Sequence, residues 1–395
     1  MDPVLNPFAP GAGTPPPELA GRDELLESIR ITLERVRRAL ATKSVLMVGL
    51  RGVGKTVLLD RMRDNAEASG IHTLRIESPE NRSLPAMLAP ELRKALLRLS
   101  RIERAKDRAN RALRALAGFA KLQVKYEDLE VGLDFDPEPG LADNGDLEHD
   151  LMSLLEATGE AAQQAGTALA IFIDELQYVE EDQLAALITA LHRVAQRRLP
   201  VVLVGAGLPQ LRGQTGKAKS YAERLFEFPE VGPLSESDAS IAIAKPVEDA
   251  GVRIDPEAIA AIVHETQGYP YFLQEWGKHV WEVAERSPIT LSDVHVATQS
   301  VIAALDESFF RVRFDRLTPG EKRYMRAMAD LGPGPHRSGD IAKALGTFAT
   351  SVAPTRANLI SKGMIYSPAH GDTAFTVPLF DQFMKRIMPG EDWRR

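Results

Sequence analysis

The chain is expected to be an α/β protein with a doubly wound parallel sheet, followed by a small helical domain and a last helix-and-strand unit. Three observations predict this. Continuous apolar runs at Ser44–Val48, Ala168–Ile173 and Val201–Gly205 alternate with helically periodic stretches; runs without polar alternation mark strands buried on both faces. Helix starts then dominate, with Ser235-Glu236-Ser237-Asp238 reading as a capping box and Asp255-Pro256 as an N-cap followed by proline. From Thr318-Pro319 onward the pattern is helix, short helix, helix and two short strands.

Each element can be justified in order. Residues 1–20 are proline-rich and poorly periodic, an extended arm. Leu25, Leu26, Ile29, Leu33, Val36 and Leu40 recur at helical spacing to about Ala41. The first strand, Ser44–Val48, meets a glycine-rich turn and a helix from Val57 to about Ser69; a second strand spans His72–Glu77. A basic helical region follows over about Leu84–Ala120, then an acidic linker, then a helix over about Gly145–Ala165. Strands return at Ala168–Ile173 and Val201–Gly205 with a helix between, and a short one fits Leu225–Phe228. Strands alternating with helices argue the doubly wound arrangement. The expected division is an arm at 1–20, a core at 21–233 with a basic-then-acidic helical insertion at about 84–145, a helical domain at 234–317, and a last domain at 318–395. No internal repeat is found.

Composition removes several function classes. A chain of 395 residues has room for two or three cores. The absence of cysteine excludes disulfide frameworks, thiolate metal sites and a cysteine nucleophile. No apolar stretch is long enough to span a membrane, and the N-terminus lacks the blocks of a signal peptide, so a cytoplasmic protein without membrane contact is expected. With a net charge of −7 it is no general polycation, and any nucleic-acid contact has to be local. Charge is segregated: Glu91–Lys125 holds eleven basic against three acidic residues, and Tyr126–Glu160 holds twelve acidic and none basic. The basic stretch Arg93–Arg114 reads either as a polyanion contact or as a face paired with the acidic stretch after it. Phe119 and Tyr126 are the only aromatics nearby, which gives single-strand binding little support.

The chemistry is carried by Gly49-Leu50-Arg51-Gly52-Val53-Gly54-Lys55-Thr56, followed by Val57. It matches GxxxxGK[ST] between an apolar strand and a helix, the setting in which backbone N–H groups and a helix N-terminus cradle phosphates. Lys55 is expected to bridge the β- and γ-phosphates, and Thr56 to place its hydroxyl on the Mg²⁺ that ATP or ADP carries. A second motif, Leu169-Ala170-Ile171-Phe172-Ile173-Asp174-Glu175, is an apolar strand ending in two acids. Asp174 can reach the metal shell and Glu175 can polarise an attacking water. A base beside the metal predicts hydrolysis.

With these motifs, the chain resembles an AAA+ ATPase related to the origin-recognition initiator ATPases and to the STAND NTPases, over about residues 17–390. The resemblance implies that Gly21-Arg22-Asp23-Glu24-Leu25 lies near adenine and ribose, with Arg22 in contact. It implies a polar sensor at the tip of the strand after the acidic pair, where this chain has Val204-Gly205-Ala206-Gly207; Gln177 is the substitute. Arg224, just before the fifth strand, is placed like the arginine finger that such ATPases offer to a neighbouring subunit, which would permit self-assembly. Gln267-Gly268-Tyr269-Pro270-Tyr271 resembles the GxP element of STAND proteins, with Pro270 toward the nucleotide, and no arginine stands at this turn.

Residues 318–388 look like a winged helix, with helices over Gly320–Asp330, Ser338–Leu345 and Thr350–Lys362 and wing strands at Met364–Tyr366 and Phe375–Val377. On the third helix Ser351, Thr355, Asn358 and Lys362 share one polar face that can enter a major groove. Arg356, Lys362, Lys343 and Arg337 are the expected phosphate contacts, and residues 318–395 hold eleven basic and seven acidic residues. The expected function is an ATP-hydrolysing switch coupled to duplex DNA binding. The alternative is a STAND-like signalling NTPase whose winged helix is autoinhibitory and whose partner is a protein.

Overall fold

The computed structural model of the chain describes residues 1–78, 82–124, 136–369 and 371–394. Lys125, Tyr126 and much of the acidic linker after it lie outside the described residues, as does His370. The chain forms two compact units: one of residues 22–49 and 55–231, the other of residues 1–21, 50–54 and 232–395.

The first unit opens with α1 (Asp23–Arg37), whose buried Ile29, Leu33 and Val36 repeat at helical spacing. Then come β1 (Ser44–Val48), α2 (Lys55–Ala68), β2 (His72–Glu77), α3 (Leu84–Leu99), α4 (Lys106–Gln123), α5 (Leu147–Ala165) and β3 (Leu169–Asp174). It closes with α6 (Glu181–Gln196), β4 (Val201–Gly207), α7 (Leu211–Ala218), α8 (Ala222–Leu225) and β5 (Phe226–Glu227). The five strands lie in the order β2-β3-β4-β1-β5, all pairs parallel. Every residue of β1, β3 and β4 is buried, which is why these strands read as unbroken apolar runs. The α/β parallel-sheet class is therefore present.

Several boundaries differ from the sequence expectation. Helix α2 begins at Lys55, two residues before Val57, so Lys55 and Thr56 lie in its first turn. The basic region is two helices, α3 and α4, parted by a short turn at Glu103–Ala105. The fifth strand is only Phe226–Glu227, because Leu225 ends α8. Helix α4 pairs with acids beyond it: Arg108 with Glu160 at 2.9 Å, and Arg111 and Arg114 with Glu138 at 3.3 Å each. Such exposed pairs are individually weak, but they show that part of the basic face is met within the unit.

In the second unit α9 (Glu236–Asp249), α10 (Pro256–Thr266), α11 (Pro270–Val283) and α12 (Leu291–Leu305) form the helical segment. A π-helical turn at Asp306–Phe310 leads to α13 (Arg311–Asp315). Ser235 caps α9 by accepting from Asp238 N; Asp255 precedes α10 without a side-chain cap bond. The proline-rich N-terminus is more ordered than a free arm: Pro3–Leu5 make a 3-10 turn, Trp281 Nε1 donates to Asp2 O at 2.9 Å, and Phe8 is buried against Gly277.

The last segment runs α14 (Pro319–Leu331), β6 (His336–Arg337), α15 (Ser338–Ala344), α16 (Ala349–Ser361), β7 (Ile365–Tyr366), β8 (Asp372–Phe375) and α17 (Phe380–Ile387). Thr318 and Glu321 make the full capping box at the start of α14. The strands form an antiparallel sheet in the order β6-β8-β7. The second expected wing strand, Phe375–Val377, lies earlier, at Asp372–Phe375; just beyond it Thr376 donates its N–H to Met364 O at 3.1 Å and its hydroxyl to Gly363 O at 2.7 Å. Strand β6 and helix α17 go beyond the sequence reading. Its short length hides β6, and α17 is secured by tertiary contacts, Phe380 and Phe383 against Phe310 and Arg386 with both carboxylate oxygens of Asp306.

Candidate active site

In a parallel α/β sheet, groups at the carboxyl ends of the strands converge on one edge. Asp174 ends β3 and Thr56 stands in the first turn of α2 after β1; the Thr56 hydroxyl donates to Asp174 Oδ2 at 2.6 Å. Asp174 is 1% exposed and also accepts from Glu175 N at 2.9 Å through Oδ1. Lys55 is 6% exposed, and its ammonium donates to Gly49 O at 2.9 Å. A buried ammonium held by a neutral backbone carbonyl can exchange that contact for a stronger one with an anionic oxygen.

Glu175 follows Asp174 in a left-handed backbone conformation, φ +53°, which turns the chain sharply at the strand tip. Its Oε2 accepts from Gln177 Nε2. At the tip of β4, Gly205, Ala206 and Gly207 are buried and offer no polar side chain, as the sequence indicated. Sequence reasoning missed Arg75. This guanidinium on β2 lies 3.5 Å from Asp174 Oδ2 and donates from Nε to Asp60 Oδ1 at 2.7 Å. The period-two pattern of a strand beside the acidic one could have flagged it, since an arginine near the end of a parallel strand faces the same edge.

Residues 50–54 belong by contact to the second unit. There Tyr271 N, at the start of α11 where the helix offers no acceptor of its own, donates to Gly52 O at 3.1 Å. Gly52 has φ +81°, and a Cβ there would stand 3.0 Å from Tyr269 Cε1 and 3.2 Å from Tyr271 Cβ, so both conformation and space call for glycine. Pro270 opens α11. Phe309 stacks on Tyr271 at 4.7 Å, and Arg313 lies over the Phe309 ring at 3.9 Å. Burial and the Arg51 charge together pull the Arg313 guanidinium down to about 10, and burial pushes the Tyr269 phenol well up.

The remaining expected residues are dispersed. Leu50, Arg51 and Val57 are half-buried around the turn, and Val53 is buried. Arg22 is half-buried at the start of α1. Arg224 is exposed on α8, and among the described residues no ion pair is assigned to it. On α16, Ser351 and Asn358 are exposed and Thr355 is half-buried. Two of the residues expected to contact DNA phosphates, Arg356 and Lys362, are instead engaged inside the unit. Arg356 donates to Thr373 Oγ1 at 2.8 Å, Ser367 Oγ at 2.9 Å and Asp372 O at 2.8 Å, tying α16 to β8 and to the turn after β7. Lys362 caps α16 and pairs with Glu321 at 2.7 Å. Both meet buried polar groups, Thr373 and Glu321, that need a partner within the unit.

Replacing Arg356 with alanine is therefore expected to destabilise this segment by about 1.5–3 kcal/mol, the usual worth of hydrogen bonds from a charged group. Thr373, fully buried, would lose its partner. The check is a lower urea midpoint with an unchanged slope; an unchanged midpoint would show that the clamp carries no stability.

Residues 18–204 match the AAA ATPase domain family, and residues 307–384 match a domain of unknown function, DUF8462. Among curated proteins none matches the chain. Among solved structures it is similar to the Walker-type ATPase PABY2304 of Pyrococcus abyssi, at 16% identity and TM-score 0.58, covering 96% of this chain and 99% of that one. Weaker likenesses are the Aeropyrum pernix ORC1 protein in complex with DNA (14%, TM-score 0.47, 93% of each chain) and the Thermotoga maritima RuvB Holliday junction branch migration motor (15%, TM-score 0.44, 94% and 95%). The Pyrococcus likeness shows a shared fold, and its span over nearly the whole of both chains extends that fold through the helical C-terminal region. Parallel sheet, glycine-rich turn and paired strand-end acids agree with the family match: residues 18–204 of this chain are an AAA ATPase domain.

Proposed function

We propose that this chain is an ATP-binding, ATP-hydrolysing switch. The observation that carries the reading is the Thr56 hydroxyl on the Asp174 carboxylate, with buried Lys55 and the Glu175 carboxylate beside it. A hydroxyl and a carboxylate are the hard oxygen donors that Mg²⁺ takes when a nucleotide supplies its other ligands; bound there, the ion would neutralise triphosphate charge. In this reading Lys55 and the N–H groups of residues 50–57 hold the phosphates, and Arg22 is the contact to the base and ribose. Glu175 takes a proton from water as the water oxygen attacks the γ-phosphorus; the bond to the bridging oxygen breaks and ADP leaves. Titration with ATP and ADP together with phosphate release is the direct test, and a chain that binds neither nucleotide would end the reading.

The nucleotide-binding turn also contacts the helical segment, through Gly52 O and Tyr271 N. In our reading a shift of this turn on nucleotide binding moves the start of α11, and the segment passes that change on. We propose the domain scheme of arm 1–20, ATPase core 21–233, helical lid 234–317 and winged helix 318–395, with Arg224 offered in trans when copies assemble.

Two partners remain for the last domain. Duplex DNA is supported by the helix–sheet arrangement and by Arg337 and Lys343, neither of them buried. A protein partner, as in the STAND-like reading, is favoured by the internal engagement of Arg356 and Lys362 and by Phe348, 80% exposed beside α16. Duplex-DNA affinity measured across a salt series separates them. If DNA is the partner, Arg337→Ala/Lys343→Ala reduces the magnitude of the salt slope by about two, one for each phosphate no longer neutralised. No binding with either ADP or a non-hydrolysable ATP analogue assigns the domain to a protein.

A further inference from the structure

The tip of β4 carries no polar side chain, yet the space beside it is filled by one. Gln177, 7% exposed, sits in the short turn after β3. Its Oε1 accepts from Leu208 N, just past β4, at 3.0 Å, and its Nε2 donates to Glu175 Oε2. Gln214 Nε2 on α7 donates to the Gln177 backbone carbonyl at 3.3 Å. A Cβ at Gly207 would stand 2.7 Å from Gln177 Oε1 and 2.8 Å from Leu211 Cδ2. The glycine at the strand tip and the glutamine are therefore complementary: residue 207 has to lack a side chain for Gln177 to reach the turn. The bare tip is the room that Gln177 needs.

Both ends of the amide are used, so the side chain has one orientation, and it holds one oxygen of a carboxylate whose backbone is already in a sparsely populated conformation. Among the described residues no donor is assigned to the other oxygen, Glu175 Oε1. One oxygen anchored and one available is the arrangement a base needs to meet a water along a fixed direction.

We propose that Gln177 is a positioning residue that holds Glu175 in its water-activating orientation and ties it to the β4–α7 turn, taking the place of a polar side chain at the strand tip. The inference rests on the reading of Glu175 as the base. Arg75 stays near Asp174 and does not reach this pair through any assigned contact.

The test uses the full chain with Mg·ATP. Gln177→Ala is expected to lower kcat about 10²-fold, the cost of a misplaced reacting group, while the affinity for a fluorescent ATP analogue stays within about twofold of the wild type, because Gln177 does not touch the phosphate-binding residues. Gly207→Ala, which pushes Gln177 without altering it, lowers kcat in the same direction. In a Glu175→Gln background, followed by single-turnover hydrolysis with excess protein, Gln177→Ala produces no further fall, because its effect passes through Glu175. A wild-type kcat in Gln177→Ala, an equal loss of affinity and kcat, or additive effects in the double variant overturns the proposal and leaves the reading of Glu175 intact. Wild-type hydrolysis by Glu175→Gln alone overturns both.

Discussion

Lys55→Ala is expected to abolish useful nucleotide binding, with ATP affinity falling between about thirtyfold and several thousandfold. The range corresponds to the roughly 2–5 kcal/mol lost when one partner of a buried, hydrogen-bonded charge pair is truncated. The side chain is buried at the start of α2, with its ammonium on Gly49 O. No other lysine stands in this turn to replace it. Fold is expected to survive, since alanine has the highest helix propensity of any residue. Calorimetric titration with ATP, on protein whose far-UV spectrum matches wild type, checks it; an unchanged Kd would remove Lys55 from the site.

The second large effect separates binding from chemistry. Glu175→Gln keeps the shape and an oxygen for the contact with Gln177 but loses the charge that, in the proposed reading, draws a proton from water. Hydrolysis should fall about 10²–10⁴-fold, the usual worth of general base catalysis, with ATP affinity retained. That pattern, kcat lost and binding kept, marks a group acting only on the way to the transition state. It differs from Lys55→Ala, where binding itself goes, and the two variants together assign each motif its own step. Phosphate release under saturating Mg·ATP and a parallel binding titration give both quantities; a normal rate in Glu175→Gln would falsify the assignment.

The elements easiest to read in the sequence are those whose signal is local. β1, β3 and β4 are almost wholly apolar because each is covered on both faces, and the turn after β1 is marked by glycines whose backbone angles other residues rarely take. β5 and β6 have two residues each and leave almost no periodic signal. Helix α17 is amphipathic, but its end of the chain offers no capping pattern; the aromatic cluster with Phe310 decides it.

Residue type alone placed Lys55, Thr56, Asp174 and Glu175 in one motif set. That Thr56 meets Asp174, 118 positions away, depends on β4 lying between β1 and β3 in the sheet. Arg356 and Lys362 show the opposite outcome. Their place on a helix suggested contacts outward, and tertiary packing turned both inward, because a cation near a buried hydroxyl or carboxylate satisfies groups that water cannot reach.

What the sequence determined by itself is the motif of the turn, the pair of strand-end acids and the alternation that makes a parallel α/β sheet, since backbone conformation and burial on both faces are imposed residue by residue. Only the tertiary structure decided the partners of the long side chains: Arg75 at Asp174, Gln177 between Glu175 and the end of β4, and Arg356 across to Thr373 on β8. The physical reason is reach. A flexible polar side chain can satisfy its hydrogen bonds in many directions, and the choice among them is made by whichever buried group the fold brings within about 3 Å.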